Sequence, residues 1–85
     1  MKAFTYTIKD ENGIHARPAG SLAKKAKEFS SEITIAKNDK SVSLTKLMAV
    51  MGMGIKCGDT VEITVNGADE AAAFDEIKKF FEENL

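Results

Sequence analysis

Residues 13–20 read Gly13-Ile14-His15-Ala16-Arg17-Pro18-Ala19-Gly20, and the chain changes there from a strand pattern to a helix pattern. Before this stretch, apolar and polar residues alternate, which is the period of a half-buried strand. After it, apolar residues recur every three or four positions, which is typical of an amphipathic helix. Pro18 is tolerated in the first helical turn, because the N–H that it lacks would have no intrahelical partner there. The stretch therefore predicts a helix that starts at Ala16, directly after His15.

His15 is the only histidine of the chain, and its neighbours suit an anionic group. Backbone N–H groups at a helix start have no intrahelical partner and carry partial positive charge, so they can bind phosphate or sulfate. We expect Ala16 and Arg17 to supply these amides, since Pro18 has none. The Arg17 side chain adds a fork of donors that keeps its charge. An isolated histidine usually has no role, but this combination favours phosphoryl transfer, which needs mainly positioning and charge stabilisation.

The patterns on either side of this stretch predict seven elements in the order β-α-β-β-α-β-α. The predicted strands lie at 4–8, 33–35, 42 and 61–65, and the predicted helices start at Ala16, at Leu44 (as far as Met51) and after Asp69. We expect Ser43 or Thr45 to cap the second helix and Asp69 to cap the third, since such side chains accept bonds from free N–H groups. Each strand has one apolar face, so one sheet covered by helices on one side would bury them all.

Length and composition are typical of one small domain and exclude several classes of protein. The 85 residues are 44% hydrophobic and 29% charged, which suits a single two-layer core without a lid or cofactor domain. We therefore expect no cofactor. The net charge of −1 argues against general affinity for nucleic acids or membranes. One histidine and one cysteine exclude zinc sites of the usual composition.

Charge is distributed unevenly along the chain. Residues 1–40 contain eight basic and five acidic side chains, whereas residues 41–85 contain four basic and eight acidic ones. The half that contains His15 is therefore the basic half, which suits an acidic partner or substrate.

The single cysteine and the first residues of the sequence predict a cytoplasmic protein. Cys57 has no partner for an internal disulfide, which favours a reducing compartment, and we expect no role for its thiol. Residues 1–8 alternate between polar and apolar and lack the apolar run of a signal peptide. No apolar stretch approaches the roughly 20 residues that a membrane span needs.

The order of elements alone leaves other functions open. Ferredoxin-like domains, which include RNA-binding and ligand-sensing modules, share the first six elements. RNA recognition would need exposed aromatic residues on the central strands. Phe4 and Tyr6 instead share the apolar face of their strand with Ile8, which is more simply explained by a core. A dimeric ligand-sensing module remains an alternative on these grounds.

The motif and the element order together resemble the HPr family, the histidine-containing phosphocarriers of the bacterial phosphoenolpyruvate:sugar phosphotransferase system. The resemblance runs nearly end to end and is carried by residues 13–19, 47–55 and 66–70. It implies a single HPr domain over residues 1–85. The implied fold is an α+β open-faced β-sandwich, in which three helices cover one face of a four-stranded antiparallel sheet.

The resemblance also implies a relay function. In the family, the histidine takes a phosphoryl group from Enzyme I at ring atom Nδ1 and passes it to sugar-specific IIA domains. This assigns phosphoryl acceptance to His15 and stabilisation of the transferred group to Arg17, in a carrier that is not an enzyme and is expected to be a monomer. Two alternatives stay open: a nitrogen-related relay with the same chemistry, and a regulatory paralogue that binds partners without carrying phosphate.

A docking surface is implied beside the histidine. Lys24 and Lys27 match family positions that, with Arg17, meet acidic partner surfaces, although a solvated helix face would look the same. The second helix is expected to present an exposed apolar patch, for which methionine is well suited because it adapts to several partners. Gly20 is expected to let a partner backbone approach, with a neutral role as the alternative. The expected partner-binding residues are Gly20, Lys24, Lys27, Leu47, Met48 and Met51.

One position departs from the regulated members of the family. Their second helix begins with a serine that a dedicated kinase phosphorylates, and the matching residue here is Lys46. A lysine cannot accept that phosphate, so the resemblance does not extend to serine-based control or to phosphoserine-dependent binding of regulatory proteins. Ser43 and Thr45 lie close by, but their expected capping role explains them.

Overall fold

The computed structural model describes residues 1–85 as a four-stranded antiparallel sheet with three helices on one face. The elements are β1 (Lys2–Thr7), α1 (Ala16–Ala26), β2 (Glu32–Lys37), β3 (Lys40–Ser43), α2 (Leu47–Gly52), β4 (Thr60–Asn66) and α3 (Glu70–Asn84). The strand order in the sheet is β1-β4-β2-β3. The predicted open-faced β-sandwich and its element order are confirmed.

The register of the sheet collects the apolar side chains on the face that the helices cover. In β4, Ile63 pairs with Phe4 of β1 on one side and with Ile35 of β2 on the other. Because side chains alternate between the two faces, Glu62 and its neighbour Thr5 lie on the open face and remain exposed. One strand thus separates a buried layer from a polar surface, as its alternation predicts.

The aromatic side chains of β1 belong to the core rather than to the open face. Phe81 of α3 is fully buried and packs edge-to-face on Phe4 and Tyr6, with ring centroids 5.9 and 5.5 Å apart. Such pairs stabilise a core beyond the area that they bury. These aromatics are therefore not a platform for stacked RNA bases.

The second helix begins at Leu47, three residues later than the sequence pattern indicates. Leu44 is buried, as the helical pattern requires, but its N–H donates to the carbonyl of Ile33 at 2.9 Å and so extends the pairing of β2 with β3. An apolar residue at a strand end and one at a helix start look alike in a short pattern, which explains the error.

The expected hydroxyl cap of α2 is also wrong. Lys46 occupies the cap position, and no side chain bonds the free N–H groups of this helix. Ser43 and Thr45 bond to each other instead: their hydroxyls are 2.8 Å apart, and the N–H of Thr45 donates to the Ser43 hydroxyl at 3.2 Å. These two residues stabilise the turn before the helix.

Asp69 precedes α3 as predicted, but its carboxylate does not cap that helix. It accepts hydrogen bonds from the N–H groups of Ser30 and Ser31 and from the Ser31 hydroxyl. These bonds, that of the Ser31 hydroxyl foremost, hold the pKa of Asp69 below its usual value. Asp69 therefore fastens the connection between α1 and β2 to the start of α3.

None of the three helices combines the length and the apolar composition that crossing a bilayer requires.

Candidate functional site

His15 lies directly before the first residue of α1, where the sequence pattern places it. Its backbone is extended (φ −103°, ψ −172°), and its carbonyl accepts the N–H of Ala19 at 3.0 Å, the first bond of the helix. Its imidazole makes no hydrogen bond to the helix start or to any other protein group. The ring is half-buried, its backbone is held by the helix start, and neither ring nitrogen has an internal hydrogen-bond partner.

Two backbone N–H groups next to the imidazole have no acceptor within the protein. They belong to Ala16 and Arg17, because the first helical bond is donated by Ala19 and Pro18 has no N–H. Unpaired N–H groups at a helix start attract anions through their own charge and through the aligned peptide dipoles. The two amides predicted from the sequence thus have no internal acceptor and are available to an anion.

The guanidinium of Arg17 is also unpaired. No carboxylate lies within 4.0 Å of it, and it donates no hydrogen bond inside the protein. The side chain is exposed and borders the same cleft as the imidazole. An arginine without an internal partner keeps all five donors available for an anion from outside.

An open cleft of about 340 Å³ brings these groups together. Its lining consists of Asp10, Asn12, His15, Arg17, Pro18, Ser21, Phe80 and Asn84. Sequence analysis did not predict five of these residues. Ser21 stands four positions after Arg17, which places the two on one helix face, so spacing could have indicated it. Phe80 and Asn84 reach the cleft from α3 through tertiary packing, and no local pattern indicates them.

The segment before His15 is fixed by the loop between α2 and β4. The N–H of Ile14 donates to the carbonyl of Ile55 at 3.1 Å, and the Ile14 side chain is buried. Gly13 has φ +65°, and a Cβ at this position would lie 2.3 Å from the Ile55 oxygen and 2.7 Å from the Cα of Lys56. Only glycine fits this conformation and this close approach. The backbone of Gly13 and Ile14 is therefore held in place by this close contact and this hydrogen bond.

The end of α3 supports the segment from the other side. The N–H groups of Lys9 and Asp10 both donate to the backbone oxygen of Leu85, whose side chain is buried.

Cys57 is exposed, and its thiol lies 3.7 Å from the carbonyl of Lys9. No group of three or more His, Cys, Asp or Glu side chains is arranged to hold a metal ion.

The second helix presents three apolar side chains to solvent, which we call the α2 patch: Leu47 (36% exposed), Met48 (77%) and Met51 (37%). Val50 of the same helix is buried, so α2 is anchored by one side and open on the other. This helix packs against α1, whose first residue directly follows the histidine. All three side chains that are expected to meet a partner are thus accessible to solvent.

The lysines in α1 and directly after it divide into free and paired ones. Lys24 and Lys27 are exposed and form no ion pair, whereas Lys25 lies 3.3 Å from Glu76 of α3. A Cβ added to Gly20 would meet no atom within 4 Å, so the surface there is open. Both lysines are thus accessible to solvent and have no internal partner.

Comparison with known proteins agrees with this arrangement. A family model described as the PTS HPr component phosphorylation site matches residues 2–83. Phosphocarrier protein HPr of Mycoplasma capricolum is 46% identical over 79 residues, which are 93% of this chain and 89% of that protein. A solved structure of the histidine-containing phosphocarrier protein from mycoplasma matches with a TM-score of 0.93 at 43% identity, over 96% of this chain and 93% of the other.

Similarity does not determine the oligomeric state. The structure of an HPr dimer from Thermoanaerobacter tengcongensis is also similar, with a TM-score of 0.77 and 35% identity over 98% of this chain and 95% of that one. Relatives of this chain thus include a dimer, so the expected monomer does not follow from similarity.

Proposed function

Because the chain belongs to the HPr family, the phosphocarriers of the phosphotransferase system, we propose that His15 accepts a phosphoryl group from Enzyme I and passes it to sugar-specific IIA domains. The group originates from phosphoenolpyruvate. As a phosphocarrier, the protein is not a catalyst: it is consumed in one transfer and regenerated in the next.

One observation carries this proposal: the free imidazole of His15 stands beside two unpaired amides and an unpaired guanidinium. In the transfer, an imidazole nitrogen (Nδ1, by resemblance to the family) forms a bond to phosphorus as the bond from phosphorus to the donor group of Enzyme I breaks. The N–H groups of Ala16 and Arg17 and the Arg17 side chain face the charge on the phosphoryl oxygens. Only neutral imidazole has the lone pair for this attack.

The open shape of the cleft suits a relay. Donor and acceptor proteins must each reach the same nitrogen, so an enclosed pocket would obstruct both. Because the ring has no internal hydrogen bond, no bond within the protein must break when the phosphoryl group arrives or leaves. The N–P bond of phosphohistidine is labile, as a transferable group requires.

Partner docking is proposed for the α2 patch and the basic residues near it. An apolar centre with a charged rim is the usual anatomy of a protein interface. Lys24, Lys27 and Arg17 would attract acidic partner surfaces and accelerate association. The openness at Gly20 supports close approach of a partner backbone.

We also infer that control by serine phosphorylation at the start of α2 is absent. Lys46 is exposed at this position and has no hydroxyl. A regulatory protein that recognises phosphoserine there would have no ligand on this chain. Residues 1–85 are proposed to act as one domain in the cytoplasm, and the identity of the IIA partners would decide between sugar uptake and a nitrogen-related relay.

The decisive experiment is intact-protein mass spectrometry after incubation with phosphoenolpyruvate and Enzyme I. The expected result is one added phosphoryl group that is lost in acid and stable in base. His15→Ala should show no adduct and an unchanged melting temperature, because the ring makes no internal hydrogen bond. An absent adduct, with an Enzyme I that charges another HPr, would refute the carrier and favour a regulatory paralogue.

A further inference from the structure

The loop between α2 and β4, residues 53–59, is closed by a lysine from another element. The ammonium of Lys37, at the end of β2, lies 2.7 Å from Oδ2 of Asp59 and donates to the carbonyl of Gly54 at 3.3 Å. These two acceptors stand at opposite ends of the loop, so one ammonium ties its ends together. We call this arrangement of Lys37, Gly54 and Asp59 the Lys37 clasp.

The clasp is better shielded than an ordinary surface ion pair. The side chains of Lys37 and Asp59 are only 21% and 30% exposed. The same Asp59 oxygen accepts the N–H of Lys56 at 2.8 Å, which fixes the carboxylate from within the loop. The hydrogen bond from Lys37, followed by that from Lys56, lowers the pKa of Asp59, so the carboxylate is charged at neutral pH.

The clasped loop supports the segment that carries the histidine. Ile55 lies inside the loop, and its carbonyl accepts the N–H of Ile14 at 3.1 Å. Gly13 packs directly on the backbone of Ile55 and Lys56. Because His15 follows Ile14 immediately, a shift of the Ile55 carbonyl would be transmitted to the imidazole through one hydrogen bond and one tight backbone contact.

We propose that Lys37 is a positioning residue for phosphoryl transfer: by joining Gly54 to Asp59 it fixes the carbonyl that orients the His15 segment. This inference rests on the proposed phosphocarrier function. Lys37 is not among the residues that line the cleft, so it acts through the loop and not by touching the phosphoryl group.

Loss of the clasp should loosen the loop without unfolding the sheet. Ile8 and Asp59 would still be joined through their backbones, by the bond from the Ile8 N–H to the Asp59 carbonyl at 2.9 Å. Loosening lowers the fraction of molecules in which the ring nitrogen is aligned for attack, and small misplacements of this kind reduce rates strongly. The α2 patch, where we propose that partners dock, would remain exposed as before.

The test is Lys37→Met, which keeps the unbranched side chain up to the position of Cε and removes the ammonium group. With this protein as the substrate of Enzyme I, we expect kcat to fall about tenfold while KM stays unchanged. The N–H of Ile14 should exchange with solvent faster in hydrogen-exchange NMR. Lys37→Arg, which keeps a cationic donor, should restore both values.

A matched control comes from a second ion pair. Lys25→Met removes the pair with Glu76 between α1 and α3, which does not touch the loop, and should leave kcat and Ile14 exchange unchanged. If Lys37→Met does not fold, Asp59→Asn gives the same readouts, because it removes the charge that holds the Lys37 ammonium while an amide oxygen can still accept the Lys56 N–H.

Three results would overturn the proposal: unchanged kcat in Lys37→Met, unchanged protection of the Ile14 N–H, or a change in KM alone. The last would mean that Lys37 contacts the partner. Failure of the proposed function looks different, because the unmodified protein would then accept no phosphoryl group from Enzyme I.

Discussion

The ring of His15 makes no hydrogen bond within the protein, although the two residues before it are among the most restricted in the chain. Gly13 is held by a left-handed backbone and a close contact, and Ile14 by burial and a hydrogen bond to Ile55. This combination suits the proposed relay. A fixed backbone gives the nucleophile one position, and a free ring can bond to phosphorus without first losing an internal partner.

Replacement of Gly13 tests how strongly the fixed backbone before His15 depends on one residue. Gly13→Ala places a Cβ at φ +65° and 2.3 Å from the Ile55 oxygen, so it combines backbone strain with a steric clash. We expect a loss of about 2–4 kcal/mol in the free energy of unfolding, measured by urea denaturation.

Substitutions of two other glycines separate the cost of backbone strain from the cost of the steric clash. Gly54 has the same φ of +65°, but a Cβ there would meet no atom within 4 Å, so Gly54→Ala should cost only about 1–2 kcal/mol. Gly20 lies inside α1 and is equally open, so Gly20→Ala should stabilise the protein by about 0.5–1 kcal/mol. Equal losses for Gly13→Ala and Gly54→Ala would show that the contact with the loop has no energetic weight.

At the scale of residues, the sequence predicts the part of the site that is local. His15, Ala16, Arg17 and Pro18 are consecutive, so the rules of helix starts are enough to place them together. The close contact of Gly13 with the Ile55 backbone joins distant parts of the chain, and so does the lining of the cleft by residues of α3. Periodicity holds no information on such contacts, which is why sequence analysis missed them.

At the scale of elements, α2 shows where a pattern of apolar residues fails. Leu44 and Val50 are both buried, but the first packs as an extension of β3 and the second as part of the helix. The elements α1, β1 and β4 each span about three periods of their apolar pattern, which is enough for prediction, whereas the six residues of α2 span fewer than two helical turns. The prediction that the Asp69 side chain caps α3 fails for a related reason. Its carboxylate accepts hydrogen bonds from Ser30 and Ser31, which lie far away in sequence.

The exposed side of α2 gives a prediction about docking. Met48 is 77% exposed, so Met48→Ala removes contact area from the proposed interface and none from the core. We expect KM for phosphorylation by Enzyme I to rise about three- to tenfold, with kcat and the urea midpoint unchanged.

Val50→Ala is the matched control on the same helix. Val50 is 1% exposed, so its truncation should cost roughly 2 kcal/mol of stability and leave KM unchanged at a temperature where the variant is folded. An unchanged KM in Met48→Ala would exclude Met48 from the docking surface.

At the scale of the whole molecule, three carboxylates join segments that are distant in sequence. Glu70 accepts a bond from the N-terminal ammonium of Met1 at 2.8 Å and one from the N–H of Gly67, and these bonds, in that order, lower its pKa. Hydrogen bonds likewise lower the pKa of Asp69, where the Ser31 hydroxyl contributes most, and the pKa of Asp59, where Lys37 contributes most. Each of the three therefore binds a proton less readily in the folded chain than in the unfolded one.

The direction of these shifts predicts how acid unfolds the protein. Unfolded carboxyls titrate near pH 4, so an ionised group with a lowered folded pKa contributes stability above that pH and loses it as the pH falls through the folded pKa. We expect the urea midpoint to fall steadily below about pH 4.

Asp69→Asn, which removes one such group, should reduce stability more at about pH 6 than at about pH 2.5. Its curve of stability against pH should therefore be flatter than that of the unmodified protein. Asp75→Asn is the control, because Asp75 is exposed and makes no hydrogen bond, and it should leave the curve unchanged. Parallel curves for Asp69→Asn and the unmodified protein would mean that the bonds to Ser30 and Ser31 do not depend on the charge of the carboxylate.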